Sequence, residues 1–259
     1  MPFLLAVRDR PFTPDELERM RLLLSVFRDG SGQFLSKLKT YMPDFLAFER
    51  ATAIVCGGET TENKGIFDVL VPGGDGQAPV GISCKMATAQ PQDRSWFMEL
   101  SNSAKKFHDA FGKAGIEWMR EPARAGEVLV SLVESWHHAV EATVDVSKSK
   151  YLILAHDTAW KKFQIVCLDL NLRRADVADI EWAVEGRDRN RPSSVAGYVY
   201  LGDRRHRLWQ FYANSGGQLK YYPPIFWAEW VTDLFELETP PVTTLREKVD
   251  AYWPGAWPE

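Results

Sequence analysis

The chain has no long hydrophobic run, few cysteines and no excess of basic charge. No segment offers the roughly 18 uninterrupted apolar residues of a membrane-spanning helix. The opening MPFLLAVRDRPF has only a short apolar run before two arginines, which is not the pattern of an export signal. Internal repeats, low-complexity tracts and clear linkers are also absent. We therefore expect a cytoplasmic protein without membrane association.

The three cysteines, Cys56, Cys84 and Cys167, are far apart and lie among apolar neighbours. This spacing matches neither the paired cysteines of zinc sites nor the disulfide framework of small secreted proteins. We expect buried thiols in a reducing compartment. His137 and His138 have no partners at metal-ligand spacing, so we assign them a packing role on a helix.

The formal net charge of −4 argues against a strongly basic protein that coats nucleic acid regardless of sequence. A nuclease is not excluded, because phosphate contacts require only a local basic patch. With 259 residues, 45% of them hydrophobic, the chain is long enough to bury a substantial core. We expect a single domain over residues 1–259.

The most informative stretch is a predicted β-hairpin. Residues 65–71 are mostly apolar apart from Asp68, a glycine-rich segment follows, and 80–86 form a second apolar run. This order is typical of two strands joined by a tight turn. Antiparallel pairing then places Asp68 opposite a residue within 83–85.

Side chains in this hairpin favour phosphodiester chemistry. Ser83 and Lys85 share one face of their strand, because successive side chains alternate. A lysine beside an acid can hold a divalent metal, orient a water and neutralise charge on a phosphate. A second acid is needed, and Glu99 is the candidate: it flanks the apolar stripe of a helix that we predict over 95–111.

Asp68 with Ser83-Cys84-Lys85 resembles the active-site motif of the PD-(D/E)XK nuclease superfamily. With Glu99 added, the pattern is similar to the restriction-endonuclease branch that cuts CCGG-type sites, which uses Ser-x-Lys and a glutamate on the next helix. The resemblance implies a Mg²⁺-dependent type II restriction endonuclease acting on double-stranded DNA. Asp68 and Glu99 would bind the metal, and Lys85 would activate water. A homodimer is implied if the site is palindromic, and no nucleotide cofactor is expected.

The same resemblance implies roles for further residues. Superfamily members often place an acid on the helix before the first catalytic strand, which makes Glu49 a candidate catalytic residue, with Glu62 in reserve. Pairing of Glu49 with a neighbouring base on the surface is the alternative. In the restriction-enzyme branch, a motif between the lysine and the glutamate reads G and C bases. Gln92-Asp93-Arg94 corresponds to it, so Asp93 and Arg94 are candidate DNA contacts.

The fold class that we predict is α/β, with a restriction-endonuclease-like central mixed sheet flanked by helices. Residues 151–155 and 163–168 are apolar without alternation, as in strands buried on both faces. The catalytic core would cover about 34–170. Helices are also predicted over 34–41, 177–184, 224–237 and 243–252.

Residues 186–223 form the most basic part of the chain, with alternating aromatic residues that predict strands. We interpret this β-rich region as a DNA-recognition region, because arginine contacts guanine and phosphate and glutamine pairs with adenine. Its candidate contacts are Arg187, Asp188, Arg189, Arg204, Arg205, Gln218 and Lys220. The alternative is a solvated, arginine-rich hairpin.

Three other functions stay open at this point. A structure-specific repair nuclease would share the catalytic residues but would not select a sequence in plain duplex. A non-catalytic DNA-binding protein on the same scaffold would bind without metal and without cleavage. A binding module for another ligand would leave the basic, aromatic region unexplained.

Overall fold

A computed structural model describes residues 6–61, 65–74, 76–89, 97–173, 179–186, 192–214, 217–252 and 254. The helices are α1 Pro14–Val26, α2 Phe45–Cys56, α3 Ala104–Ala114, α4 Pro122–His138 and α5 Leu245–Tyr252. The strands are β1 Gln33–Leu35, β2 Thr40–Met42, β3 Glu59–Thr60, β4 Val69–Val71, β5 Val80–Thr88, β6 Met98–Ser101, β7 Lys150–His156, β8 Phe163–Asp169, β9 Glu181–Glu185, β10 Ser194–Leu201, β11 Arg204–Tyr212, β12 Leu219–Tyr221 and β13 Trp230–Val231.

A six-stranded mixed sheet lies at the centre of the fold. Its strand order is β13-β8-β7-β5-β4-β3, with β5 and β7 parallel and the neighbouring pairs antiparallel. Every residue of β7 is buried, which fits a strand covered on both faces. The α/β class and the central mixed sheet flanked by helices are therefore confirmed.

The two faces of this sheet pack against different elements. On one face, Ile82, Cys84 and Leu152 join a core with α1 and α2. On the other face, Tyr151 and Ile153 join a core with α3, α4 and the second sheet. The alternation predicted for β5 is the reason, because it sends neighbouring side chains to opposite cores.

The second sheet has five antiparallel strands in the order β6-β12-β11-β10-β9. Four of these strands come from the C-terminal part of the chain, which confirms that this part is β-rich. The edge strand β6 instead follows the β4–β5 hairpin in sequence. The second sheet is therefore joined directly to the predicted active site.

Helix boundaries follow local capping signals. Thr13 and Glu16 form a capping box at the start of α1, as their spacing favours. The Asp44 side chain accepts a hydrogen bond from the Ala47 N–H at the start of α2, which ends at Gly57 in the left-handed conformation (φ 66°). None of the helices in the described ranges is long and apolar enough to cross a membrane.

Several predicted helices are wrong. Residues 34–41 lie in the β1–β2 hairpin, the described part of 177–184 enters β9, and 224–237 contains a short 3-10 turn and β13. Within 95–111, Glu99 lies on strand β6, and the helix begins only at Ala104. Apolar spacing was compatible with a helix at these places, but strand pairing determined the conformation, locally in β1–β2 and over long sequence separations for β6 and β13.

Candidate active site

The predicted hairpin consists of two strands of different length, β4 and β5. β4 has three residues and β5 has nine, and their register pairs Val69 with Ile82. Asp68 therefore lies opposite Ser83 where β4 begins, and β5 continues beyond it. The backbone N–H of Asp68 donates to the Ile82 carbonyl at 3.0 Å. The hairpin and the predicted position of Asp68 are confirmed.

Asp68 is held by three groups of the neighbouring strand. Its Oδ2 accepts hydrogen bonds from the Cys84 N–H at 2.7 Å and the Ser83 hydroxyl at 3.3 Å, and lies 3.6 Å from Nζ of Lys85. All of these contacts use Oδ2. Within the described residues, Oδ1 has no hydrogen-bonding partner, so it is the oxygen that remains for another ligand.

Packing of the hairpin fixes these positions. The buried ring of Phe67 lies against Gly81, where an added Cβ would come within 2.2 Å of the ring. The adjacent residue, Asp68, is thereby held against β5. The side chains of Asp68 and Lys85 keep 26% and 22% of their surface exposed, so the pair remains open to solvent on one side.

A cavity of about 590 Å³ opens beside this pair, and we call it the acid cavity. Its polar lining includes Asp44, Glu49, Asp68, Lys85, Glu99 and His156. Glu49 comes from α2 and Glu99 from β6, so two further elements and the hairpin contribute charged side chains to one space. The four catalytic candidates inferred from sequence are brought together, although Glu99 arrives on a strand and not on a helix.

Glu49 is the acid whose titration is most perturbed. Burial and, to a smaller extent, the negative charge of Asp68 raise its pKa from an ordinary value of 4.5 to about 7, and the positive charge of Lys85 opposes the shift. Such a shift is common in active sites that concentrate acids. The charges of Asp68 and Lys85 therefore both act on the pKa of Glu49. This differs from the alternative in which Glu49 is a surface acid paired only with a neighbouring base.

The donor set in the acid cavity suits Mg²⁺. Carboxylate oxygens are the ligands that this ion prefers, and it is commonly bound by one or two carboxylates together with waters and substrate phosphate. In the described part of the chain, no three His, Cys, Asp or Glu side chains converge closely enough to enclose a metal ion. Asp68 with Glu49 or Glu99 therefore fits an ion that is completed by substrate, and not a closed structural site.

His156 and Trp160 also line the acid cavity, and sequence reasoning missed both. Nδ1 of His156 donates to the Asp157 carbonyl at 2.8 Å, and the imidazole stacks on the Trp160 ring with centroids 3.6 Å apart. Burial lowers the pKa of His156. Trp160 adopts φ 55° in a tight turn. This turn brings its ring onto His156, a contact that the sequence alone did not indicate.

A second cavity of about 410 Å³ lies on the other side of the Asp68–Lys85 pair, and we call it the aromatic cavity. Trp136, His137 and Tyr151 contribute to its wall together with Ser83. Nε2 of His137 is 3.0 Å from the Tyr151 hydroxyl, and burial lowers the pKa of this histidine. The packing role assigned to His137 was incomplete, because its side chain also borders the candidate site.

The predicted DNA contacts are distributed unevenly. Lys220 on β12 is paired in register with Glu99 on β6, and Gln218 lies just before β12. Arg205 forms an ion pair with Glu181 at 3.0 Å, while Arg204 is exposed at the β10–β11 turn. Neither arginine lines the acid cavity. Glu62, Asp93, Arg94, Arg187, Asp188 and Arg189 lie outside the described residues.

Comparisons with protein-family models, curated proteins and solved structures find no match to this chain. No family assignment follows from them.

Proposed function

We propose that the protein is a Mg²⁺-dependent endonuclease with a restriction-endonuclease-like fold, and that it cuts double-stranded DNA at a specific short sequence. The observation that supports this most is the convergence of Asp68, Lys85, Glu49 and Glu99 on the acid cavity. An acid and a lysine 3.6 Å apart, with further acids nearby, form a constellation suited to phosphodiester hydrolysis.

Each residue has a distinct role in this proposal. Oδ1 of Asp68 and the carboxylate of Glu99 would hold Mg²⁺, which when bound polarises the phosphate and balances its negative charge. Lys85 orients the attacking water and stabilises charge that develops on the phosphate oxygens. Glu49, with its raised pKa, accepts a proton near neutral pH. Ser83 holds Asp68 in position.

Two-fold symmetry extends the proposal to a homodimer. A palindromic site presents the same half-site twice, and two copies of the chain related by a two-fold axis match it. Lys220, beside Glu99 in register, provides a positive charge at the edge of the catalytic centre. Double-stranded DNA is the proposed partner.

The direct test is digestion of a sequenced plasmid by wild type, Asp68→Asn and Lys85→Ala, each with Mg²⁺ and with EDTA. We expect discrete Mg²⁺-dependent fragments from wild type and at least a roughly 100-fold loss of rate in both variants. Asp109→Asn and Lys162→Ala are matched controls, because each removes the same kind of charge from an exposed surface ion pair. Sequencing of the fragment ends identifies the site.

Alternative functions predict different results in the same assay. A structure-specific nuclease would leave plain duplex intact and cut branched or mismatched DNA. Absence of cleavage in several methylated and unmethylated DNAs, combined with metal-independent binding, would instead support a non-catalytic DNA-binding protein. Within the described residues, no three His, Cys, Asp or Glu side chains are placed to hold a metal ion, and this observation favours testing the second candidate.

A further inference from the structure

We infer that the aromatic cavity accommodates the base of a single nucleotide extruded from the DNA beside the scissile phosphate. This inference rests on the proposed nuclease function and names the part of the substrate that the second cavity would take. It begins from the position of the Asp68–Lys85 pair, which lines the acid cavity and the aromatic cavity alike.

Because Asp68 and Lys85 line both cavities, a substrate bound at this pair could contact both cavities at once. The additional acids Glu49 and Glu99 line the acid cavity and are not part of the aromatic cavity. A phosphate at Lys85 would thus have metal-binding groups on one side and an organic pocket on the other. The group attached to a scissile phosphate in DNA is a nucleoside, so a nucleoside is what this pocket would receive.

The dimensions and lining of the aromatic cavity fit such a group. Its volume of about 410 Å³ lies within the range of pockets that bind small organic ligands. Val133, Val140, Ile66 and Leu100 supply apolar surface, and Trp136 supplies an aromatic ring. Aromatic side chains bind bases of any sequence, because every base has a π-face.

Polar side chains make up half of the lining of this cavity, and two of them, His137 and Tyr151, are held by a mutual hydrogen bond. The hydrogen bond between His137 and Tyr151 places a hydroxyl and an imidazole in a buried part of the wall. Nζ of the exposed Lys106 lies 5.3 Å from the centroid of the Trp136 ring, within reach of a phosphate at the rim. Apolar and aromatic surface beside convergent polar groups is a combination that small-molecule sites use to hold and orient a ligand.

A base cannot occupy this cavity while it is stacked in a duplex. Enzymes that receive a base in a pocket rotate the nucleotide out of the helix, and the cost is lowest where the base is mismatched or unpaired. The inference therefore predicts that unpairing one nucleotide next to the cut will tighten binding. A nuclease that leaves the duplex stacked would gain nothing from a mismatch at that position.

The first test measures binding of a deoxynucleoside 5′-monophosphate and of deoxyribose 5-phosphate by ligand-observed NMR, without any cleavage. In wild type, the base-bearing ligand should bind about tenfold more tightly, as expected for one base stacked on an aromatic ring. Trp136→Ala and Ala139→Phe should abolish this difference. The second variant leaves Trp136 in place and fills the cavity from an exposed lining position, so it separates a lost pocket from misfolding.

Phe226→Ala is the matched control, because Phe226 is 68% exposed and lines neither cavity; it should bind like wild type. Equal binding of the two ligands by wild type would overturn the inference. So would unchanged selectivity in both cavity variants.

The second test uses duplexes that carry the cleavage site with one mismatch at successive positions, in EDTA. We expect wild type to bind at least about tenfold more tightly when the mismatch adjoins the scissile phosphate, and Ala139→Phe to lose this gain. Cleavage of matched DNA without any such gain would overturn the inference and leave the nuclease proposal intact. Mononucleotide binding without cleavage of any DNA would overturn the nuclease proposal and assign the cavity to a free nucleotide.

Discussion

At the scale of a single residue, the position of Asp68 in an apolar strand predicted that its carboxylate has polar partners. An acid within an apolar strand is costly to bury unless its oxygens are satisfied. The Cys84 N–H and the Ser83 hydroxyl both donate to it, and the Lys85 ammonium lies nearby. The acid is therefore stabilised by the strand that also supplies Lys85, its partner in the proposed mechanism.

Glu49 leads to a prediction about pH and stability. Its pKa is near 4.5 when exposed and about 7 in the fold, so the folded state holds a proton that the unfolded state releases between these values. The contribution of Glu49 to the free energy of unfolding should therefore fall as pH rises from about 4.5 to about 7 and then stay level. Glu49→Gln should raise the free energy of unfolding at pH 8 by about 1 kcal/mol, after allowance for solvent screening.

Urea unfolding of wild type and Glu49→Gln in EDTA, at pH 4 and pH 8, measures this effect. The difference between the two proteins should be larger at pH 8. Glu127→Gln is the control, because Glu127 is an exposed acid on α4 and should show no such pH dependence. A constant difference between wild type and Glu49→Gln would contradict the raised pKa.

At the scale of an element, β6 is a strand in a segment that the sequence predicted to be helical. Its residues have apolar spacing that continues into α3 and so predicted one long helix. Pairing with β12 makes β6 a strand instead, and it carries Glu99 and Leu100 to the acid cavity. The same glutamate reaches the same site by a different element.

The packing of α4 on the second sheet depends on a glycine. At Gly126, an added Cβ would come within 2.0 Å of the Trp182 ring on β9, whereas nothing lies within 4 Å of that position at Gly112 on α3. Gly126→Ala should therefore destabilise the protein by roughly 1–3 kcal/mol through overpacking. Gly112→Ala should stabilise it by up to about 1 kcal/mol, because alanine favours a helix.

Chemical denaturation of the two glycine variants tests this contrast within one kind of substitution. Both changes increase helix propensity, so any difference in sign comes from tertiary contact. Equal stabilisation by both would show that α4 can move away from Trp182 without cost.

At the scale of the whole molecule, the three cysteines are buried in the same hydrophobic core. Cys56, Cys84 and Cys167 are free thiols, and all three belong to the core between α1, α2 and the six-stranded sheet. Burial raises the pKa of Cys56 to about 12 and raises that of the other two thiols. The predicted buried thiols are confirmed.

This arrangement predicts that the native protein resists thiol reagents and that all three cysteines become reactive together. Thiolate is the reactive form, and both burial and a raised pKa suppress it. Labelling with a disulfide reagent across a urea series, read by mass spectrometry, should pass from zero to three labels in one transition that coincides with loss of circular dichroism. Stepwise labelling would show that this core opens in parts.

Much of the β4–β5 hairpin was predictable from sequence because its determinants are local. Two apolar runs around a glycine-rich segment placed Asp68 opposite a residue within 83–85, and alternation along β5 fixed the face of Lys85. The buried strand β7 was likewise readable from its uninterrupted run of apolar residues. The geometry of the hairpin and of β7 depends on local backbone preferences and on the burial of apolar side chains.

Only the tertiary structure decided how distant segments meet. Glu99 lies on a strand because β6 pairs with β12, and Trp136 reaches the aromatic cavity because α4 packs beside the hairpin. No residue near Glu99 or Trp136 in sequence specifies those partners. Pairing and packing between distant segments depend on the free energy of the whole core, so local propensity could predict the chemistry of the site but not the walls that enclose it.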